Sequence, residues 1–299
     1  MRVQLITKDN SWGLSQDVAV LRGALIAVGG TMEVDFNDWR SPKNVAAKHY
    51  DLNVFLEEIP DTRFCRQAVR NVLVPNPEWF WNVAHLRHVD EVWAKTRDCE
   101  RIFSSRHKSV KYIGWTSGDR YLPEVPKEKM MVHLAGASSA KGTAEVMKAM
   151  KKLPDLRLIL ASEKPWPNCP PNIEQHGRMD AEAFVLLQNR AAIHLCPSSY
   201  EGFGHYLNEA RSAGAAIITT NADPMAELVS PSFGFGASVG HVTTQNLAVH
   251  KHVDADSLAE MISMAMALPL ESLLNLGINA RAAYLAGREE FLANLKALL

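Results

Sequence analysis

Short apolar runs alternate with amphipathic stretches along almost the whole chain. Runs at 3–7, 32–36, 52–56, 71–75, 89–94 and 110–114 have strand length, and several are apolar throughout, as expected of parallel strands covered on both faces. Helical stretches lie between some of them, one capped by Ser15 and running to Gly29-Gly30, another over 96–103. The texture changes at TSGDRYLPEVPKEK (116–129), where prolines stand among charges, and this reads as a linker. Then the alternation restarts. Strands are predicted at 130–135, 157–161, 191–197 and 216–220, and helices at 143–152, 181–190, about 204–213 and 222–229, with a proline-rich loop at 164–171. The end is helical over 256–268 and 271–299, with breaks near Pro269 and Gly287. Two successive βαβ arrays predict an α/β protein of two Rossmann-like, doubly wound domains, 1–118 and 119–285. Ligands bind such sheets at the carboxyl ends of the strands, so a cleft between the domains is the expected site.

Composition narrows the classes. The chain has 299 residues, 47% of them apolar, enough for a core in each half. Basic and acidic residues nearly balance, 32 against 33, which excludes a protein that holds nucleic acid by overall charge but not one with a local basic face. Cys65, Cys99, Cys169 and Cys196 are far apart and form no C-x-x-C pair, so neither a disulfide framework nor a zinc knuckle is indicated. A reduced, cytoplasmic setting is the default. The start, MRVQLITKDN, reads as a strand and not as a secretory leader, and no apolar run approaches the roughly 20 residues of a membrane helix.

The first stretch that carries chemistry is SSYEGFGHYLNEARSAGAAIITT (198–220). A strand delivers the chain to Ser198, so Glu201 sits on a strand-to-helix loop. Gly202 and Gly204 let that backbone approach a ligand closely. The helix that follows points its positive end at the loop, a ready anion site. Glu209, more than one turn into the helix, is placed to accept hydrogen bonds from a vicinal diol such as a ribose.

The second is HLAGASSAKGTAEVM (133–147). A strand ends, Gly136, Ala137, Ser138, Ser139 and Ala140 turn the chain, and Lys141 precedes a helix. Small residues expose amides, two hydroxyls donate and Lys141 brings charge, which together make a diphosphate cradle. The order K-G-T is not the G-K-[ST] of a Walker loop, which demotes a kinase or ATPase.

These two stretches resemble the retaining GT-B-fold glycosyltransferases of the E-x(7)-E, group 1 or family 4-like type. The family reads p-S-x-x-E-G-F-G-x-x-x-x-E-A-x-x-x-G-x-P-V-I, where this chain has PSSYEGFGHYLNEARSAGAAII, departing at Ala215-Ala216. The likeness is specific from about Met130 to Leu228 and loose in the first half. It implies that Glu201 sits by the donor sugar and Glu209 holds the nucleotide ribose. Amides of the turn Gly202-Phe203-Gly204-His205 then meet the sugar and diphosphate. The family's G-R-x-x-x-x-K-G loop is matched by Lys141, while Ala137 stands where its arginine would be; Arg120 is a candidate replacement. The family's glycine-rich loop near donor and acceptor is represented in KDNSWG (8–13) only by Gly13. Asn76 and Glu78, in VPNPEWFW (74–81), fall where relatives carry a histidine that touches the donor sugar. The 175–178 stretch matches a loop that meets the base, and Asp223 and Glu227-Leu228 match one that borders the phosphates. The family's last helix crosses back to the first domain, as 286–299 would here.

The resemblance implies a hexosyl- or pentosyltransferase that moves sugar from a UDP- or GDP-sugar to a hydroxyl with retention, requiring no cofactor and no metal. His85 and His88 share a helical spacing but lack a third ligand, and Asp254-Ala255-Asp256 is better explained as a helix cap. The acceptor is left open between a glycan or lipid and a hydroxymethylated pyrimidine in DNA; the locally basic RIFSSRHKSVK (101–111) favours a polyanion. A sugar-nucleotide epimerase and a non-catalytic nucleotide-sugar binding module are the alternatives.

Overall fold

A computed structural model describes residues 1–11, 13–40 and 49–299. Two compact units emerge, one of residues 1–118 with 245–248 and 287–299, the other of 119–244 with 249–286. Trp12, in the KDNSWG stretch (8–13), lies outside the described residues.

The first unit is built on β1 (Arg2–Thr7), α1 (Gly13–Gly29), β2 (Glu33–Asp38), β3 (Tyr50–Glu57), β4 (Ala68–Pro75), β5 (Glu91–Ala94), α2 (Arg97–Ser104) and β6 (Val110–Tyr112). Its strands pair in the order β2-β1-β3-β4-β5-β6, all parallel. Val54, Phe55, Leu73 and Val92 are fully buried in its centre, which is why these strands read as apolar runs. Thr96 caps α2 by accepting from the Cys99 amide at 3.1 Å. Ser15 is not a cap: it lies inside the first turn of α1, and its hydroxyl donates to Asp9 Oδ1. Short 3-10 turns, Thr62–Gln67 and Val83–His88, stand where full crossover helices would.

The rest of the chain forms β7 (Glu128–Gly136), α3 (Thr143–Lys151), β8 (Leu158–Ser162), β9 (Ile173–His176), α4 (Ala181–Arg190), β10 (Ala191–Cys196), α5 (His205–Ser212), β11 (Ala216–Thr220), α6 (Met225–Leu228), β12 (Gly234–Ala237), β13 (Val239–Gln245), β14 (Ala248–Val253), α7 (Ala255–Ala267) and α8 (Leu270–Leu298), all in the second unit except residues 245–248 and the part of α8 from Gly287 on. The parallel sheet runs β12-β11-β10-β7-β8-β9, and β13 pairs with β14 in a separate hairpin. Its strand order reverses between β7 and β10, the point at which such sheets bind ligands. Every residue of β10 is buried, including His194, whose Nε2 bonds the Gln188 carbonyl at 2.9 Å.

Three elements depart from the sequence reading. An edge strand, β9, covers 173–176 and takes in the first half of the 175–178 stretch that the resemblance assigns to a loop. The β13–β14 hairpin was not anticipated, because β13 (VGHVTTQ) is exposed along most of its length and carries no apolar alternation. The last helix passes Gly287 without a break, since one glycine in a long run of good helix formers costs only about 1 kcal/mol. Residues 287–299 group with the first unit, where the Leu298 carbonyl accepts from Arg70 at 2.7 Å and Phe291 packs on Trp115 at 5.0 Å between ring centres.

Candidate functional site

The carboxyl ends of β7 and β10 bring the two informative loops together. β7 ends at Gly136, whose φ is +55°, and residues 137–142 lead into α3. Gly142 closes that loop with φ +71°, and a Cβ there would lie 2.1 Å from the Pro197 carbonyl oxygen. The loop is therefore pressed against the end of β10. The Ser199 amide donates to the Ala140 carbonyl at 2.9 Å and fastens the seam.

Across that seam Lys141 Nζ reaches Glu201 Oε1 at 2.6 Å, with 17% and 12% of the two side chains exposed. Ser198 Oγ also donates to Oε1 and lies 2.6 Å from the Tyr206 hydroxyl. Among the described residues no bond reaches Glu201 Oε2. The ammonium of Lys141 also sits over the Tyr206 ring, 3.7 Å from its centre. Burial pushes the Tyr206 hydroxyl well above its ordinary range, so it stays protonated and polarises the Ser198–Glu201 chain. Lysine has three N–H donors and spends one on Glu201, leaving others for an anion.

The turn after Glu201 buries Gly202, Phe203 and Gly204 and leaves His205 partly exposed, its ring set edge-on to Phe203 at 5.5 Å. Gly204 has φ +102° and starts α5. Ser138 and Ser139 are exposed on the other loop, where Ser138 Oγ accepts from the Ala140 amide at 3.2 Å.

Glu209 stands in the same unit but is closely held. It is 4% exposed; Arg120 Nη2 donates to its Oε1 and Gln188 Nε2 to its Oε2, both at 2.9 Å. Arg120, the candidate for the missing loop arginine, is thus seated on Glu209. Its Nε is buried, with no partner among the described residues. Each carboxylate oxygen has a second lone-pair position, so the site retains some acceptor capacity.

Beneath the loops, His133 bridges the Leu195 carbonyl (2.8 Å) and Thr143 Oγ1 (2.9 Å), tying β7 to β10 and to the start of α3. Burial pushes its imidazole down to about 4 and that of His194 to about 3, so both are neutral near pH 7. From the hairpin, the Lys251 amide donates to the Ser199 carbonyl at 2.7 Å, and His250 Nδ1 lies 3.0 Å from Ser199 Oγ. These residues escaped the sequence reading along with the hairpin that carries them. Asp223 does not cap α6, which has no side-chain cap.

In the first unit, the strand order reverses between β1 and β3. There Lys8 Nζ meets Glu57 Oε1 at 2.6 Å, and Asn76 Nδ2 meets Glu57 Oε2 at 3.4 Å. Glu57 is 5% exposed and adopts φ +74°, a conformation that side chains other than glycine hold only when their surroundings enforce it. Neither Lys8 nor Glu57 was singled out in the sequence; the one available signal was a carboxylate closing the apolar run VFLEE. Asn76 is 8% exposed, and the Gln245 and Asn246 side chains donate to the Glu78 carbonyl at 2.9 and 2.7 Å. Gly13 opens α1, and a Cβ added there would meet nothing within 4 Å.

The remaining candidates have ordinary partners. His85 engages the Ile59 carbonyl and Asn82, both at 2.9 Å. Asp254 caps α7, accepting from the Asp256 and Ser257 amides at 3.0 and 2.8 Å. The basic 101–111 segment spans the end of α2 and the lead into β6, which puts its loop at the amino edge of the first sheet, opposite the edge where ligands bind. Arg101 is paired with Asp98, and Arg106 Nη1 bonds the Ile102 carbonyl at 2.5 Å.

Residues 119–283 match the family model for glycosyl transferases group 1. No curated protein matches the chain in sequence. Among solved structures, the chain resembles sucrose-phosphate synthase from Thermosynechococcus elongatus, with TM-score 0.74, 16% identity, and 100% of this chain and 98% of that one covered. It resembles HepE from Anabaena, in complex with UDP-glucose, with TM-score 0.70, 15% identity and 99% and 100% covered. A third, WaaG, a glycosyltransferase involved in lipopolysaccharide biosynthesis, gives TM-score 0.64 at 14% identity, with 94% of each chain covered. At such identities the likeness is one of fold, and that fold is the pair of parallel Rossmann-like sheets described above. With the family model covering more than half of the sequence, and the glycine-loop lysine facing the first glutamate of the turn inside it, the chain belongs to the glycosyl transferases group 1 and has the GT-B fold.

Proposed function

We propose that the chain is a retaining glycosyltransferase that takes a sugar from a UDP- or GDP-sugar and adds it to a hydroxyl group, without a metal. The observation that carries this reading is the Lys141–Glu201 pair, 2.6 Å apart, at the reversal point of the second sheet. HepE is described in complex with UDP-glucose, which favours a uridine donor as the first to try.

At the anomeric carbon the bond to phosphate oxygen breaks, its electron pair leaves with the diphosphate, and a bond to the acceptor oxygen forms. The acceptor proton passes to the departing phosphate. Positive charge builds on the sugar and negative charge on the leaving group. On this reading Lys141, the amides of residues 137–139 and those after Gly204 hold the leaving diphosphate. Glu201 Oε2 accepts a sugar hydroxyl, and Ser198 and Tyr206 fix the orientation of that carboxylate. Glu209, with Arg120 beside it, meets the ribose from the edge.

The test is diphosphate release from a panel of UDP- and GDP-sugars with mixed hydroxyl acceptors, followed by NMR of the product anomer. One donor should turn over with its configuration kept. Lys141→Ala should lower kcat/KM by about a hundredfold or more, the cost of one fixed donor at developing charge. Full activity in Lys141→Ala, or an inverted product, contradicts the reading. A donor that binds but never turns over marks a non-catalytic binding module instead.

A further inference from the structure

The first unit presents two exposed indoles that the proposed donor chemistry leaves unassigned. Between β4 and the 3-10 turn Val83–His88, the loop 76–82 alternates in and out: Trp79 is 54% exposed, Phe80 1% and Trp81 68%. Large aromatics left this open are unusual on a protein surface and mark a binding site when they cluster. Their exposure is not slackness. The Asn76 carbonyl accepts from the Trp79 and Phe80 amides, both at 3.0 Å, and Phe80 packs edge-on to Phe103 at 5.3 Å. The Pro77 carbonyl accepts from the Leu247 amide at 3.2 Å, and the Glu78 carbonyl takes the two side-chain bonds from Gln245 and Asn246. A loop tied at this many points has a fixed backbone, and from it both indoles extend outward.

The polar side chain that Trp81 contacts is an acid. Glu58 Oε2 accepts from Trp81 Nε1 at 3.3 Å, and Glu58 follows the constrained Glu57 at the end of β3. Lys8, the adjacent cation, is neutralised by Glu57. Indole faces beside carboxylates suit a sugar ring: its C–H face stacks on the aromatic plane, and its hydroxyls donate to carboxylate oxygens. They do not suit a phosphate backbone or an anionic lipid surface, which need clustered lysines and arginines. The basic 101–111 segment that would serve a polyanion begins from the opposite edge of this sheet.

We propose that Trp79, Trp81 and Glu58 form a carbohydrate subsite at the carboxyl edge of the first sheet, so that the acceptor is a sugar and neither DNA nor a membrane lipid. This rests on the glycosyltransferase reading and specifies its acceptor. The test is tryptophan fluorescence of the full chain titrated with maltotriose, cellotriose and chitotriose at millimolar concentration, with a DNA duplex and anionic phosphatidylglycerol vesicles as rival probes. At least one oligosaccharide shifts the emission saturably, and Trp79→Ala and Trp81→Ala each weaken it about tenfold. Trp81→Phe recovers part of the loss, and Glu58→Gln weakens binding without moving the melting temperature. UDP binding, followed by calorimetry, is unchanged in these variants. The subsite is overturned if none of the three oligosaccharides changes the emission, if both alanine variants bind as the parent does, or if the duplex or the vesicles bind through the same tryptophans. Failure here with UDP binding intact removes only this subsite, whereas loss of UDP binding with oligosaccharide binding intact removes the donor reading and leaves the subsite standing.

Discussion

Gly142→Ala and Gly136→Ala make a matched pair of perturbations with different expected costs. Both glycines lie in the left-handed region, at φ +71° and +55°, so an alanine at either costs about 1–2 kcal/mol of backbone strain. Around Gly136 a new Cβ meets nothing within 4 Å, whereas at Gly142 it meets the Pro197 carbonyl oxygen at 2.1 Å. A carbonyl at the end of a buried strand does not swing aside, so the 137–142 loop lifts. Lifting it gives up the Ser199–Ala140 hydrogen bond, worth about 1 kcal/mol, and separates Lys141 from Glu201. The sum is about 3 kcal/mol for Gly142→Ala against 1–2 for Gly136→Ala. At about 2–4 °C per kcal/mol, scanning calorimetry should place the Gly142→Ala melting transition roughly 6–12 °C below the parent and clearly below Gly136→Ala. Equal shifts for the two variants would refute the steric account of how the lysine loop and the glutamate loop are held together.

Two further outcomes follow from buried charge. His133 and His194 are held by burial at about 4 and 3, below the 6.5 of an unfolded histidine, so the unfolded chain binds these protons first. The stability they contribute is whole above pH 6.5 and is lost as the pH falls, by about 1.4 kcal/mol per pH unit for each histidine. Melting temperature should therefore drop between pH 7 and pH 5 and drop less steeply in His133→Asn; a flat profile contradicts the burial argument. In the first unit, Asp17 and Lys95 pair at 2.9 Å with 3% and 2% of their side chains exposed. Asp17→Ala strands the lysine and should lower unfolding free energy by about 3–5 kcal/mol by denaturant titration. A change within 1 kcal/mol would show that water relieves the stranded lysine.

The parts of this fold that could be read from the sequence are those governed by short-range pattern. Apolar runs such as LNVFL and AAIHLC had to be buried strands, and the glycines around Glu201 and Lys141 placed both residues on strand-to-helix loops. That the two loops meet follows from the strand order, because β7 and β10 are neighbours on either side of the reversal. What could not be read depends on partners far along the chain. Arg120 reaches Glu209 across 89 positions and Gln188 across 21, and nothing local to the E-x(7)-E stretch announces that its second acid is occupied. The left-handed backbone of Glu57 goes with bonds to Lys8 and Asn76, which follow β1 and β4 and lie far from it in sequence. The exposed β13 lacks the alternation that betrays a half-buried strand, so the hairpin and its His250 and Lys251 went unseen. The charge of the basic segment is plain in the sequence, but the position of its loop at the amino edge of the first sheet follows only from the topology.

Isothermal titration of UDP and GDP into the parent protein and into Lys141→Ala bears most directly on the central claim, that a nucleoside diphosphate is gripped where β7 and β10 diverge. At least one nucleotide should bind the parent, and the lysine variant, still folded by its melting profile, should bind it at least tenfold more weakly. Undiminished affinity in Lys141→Ala, or no heat from either nucleotide with the parent, would contradict the account.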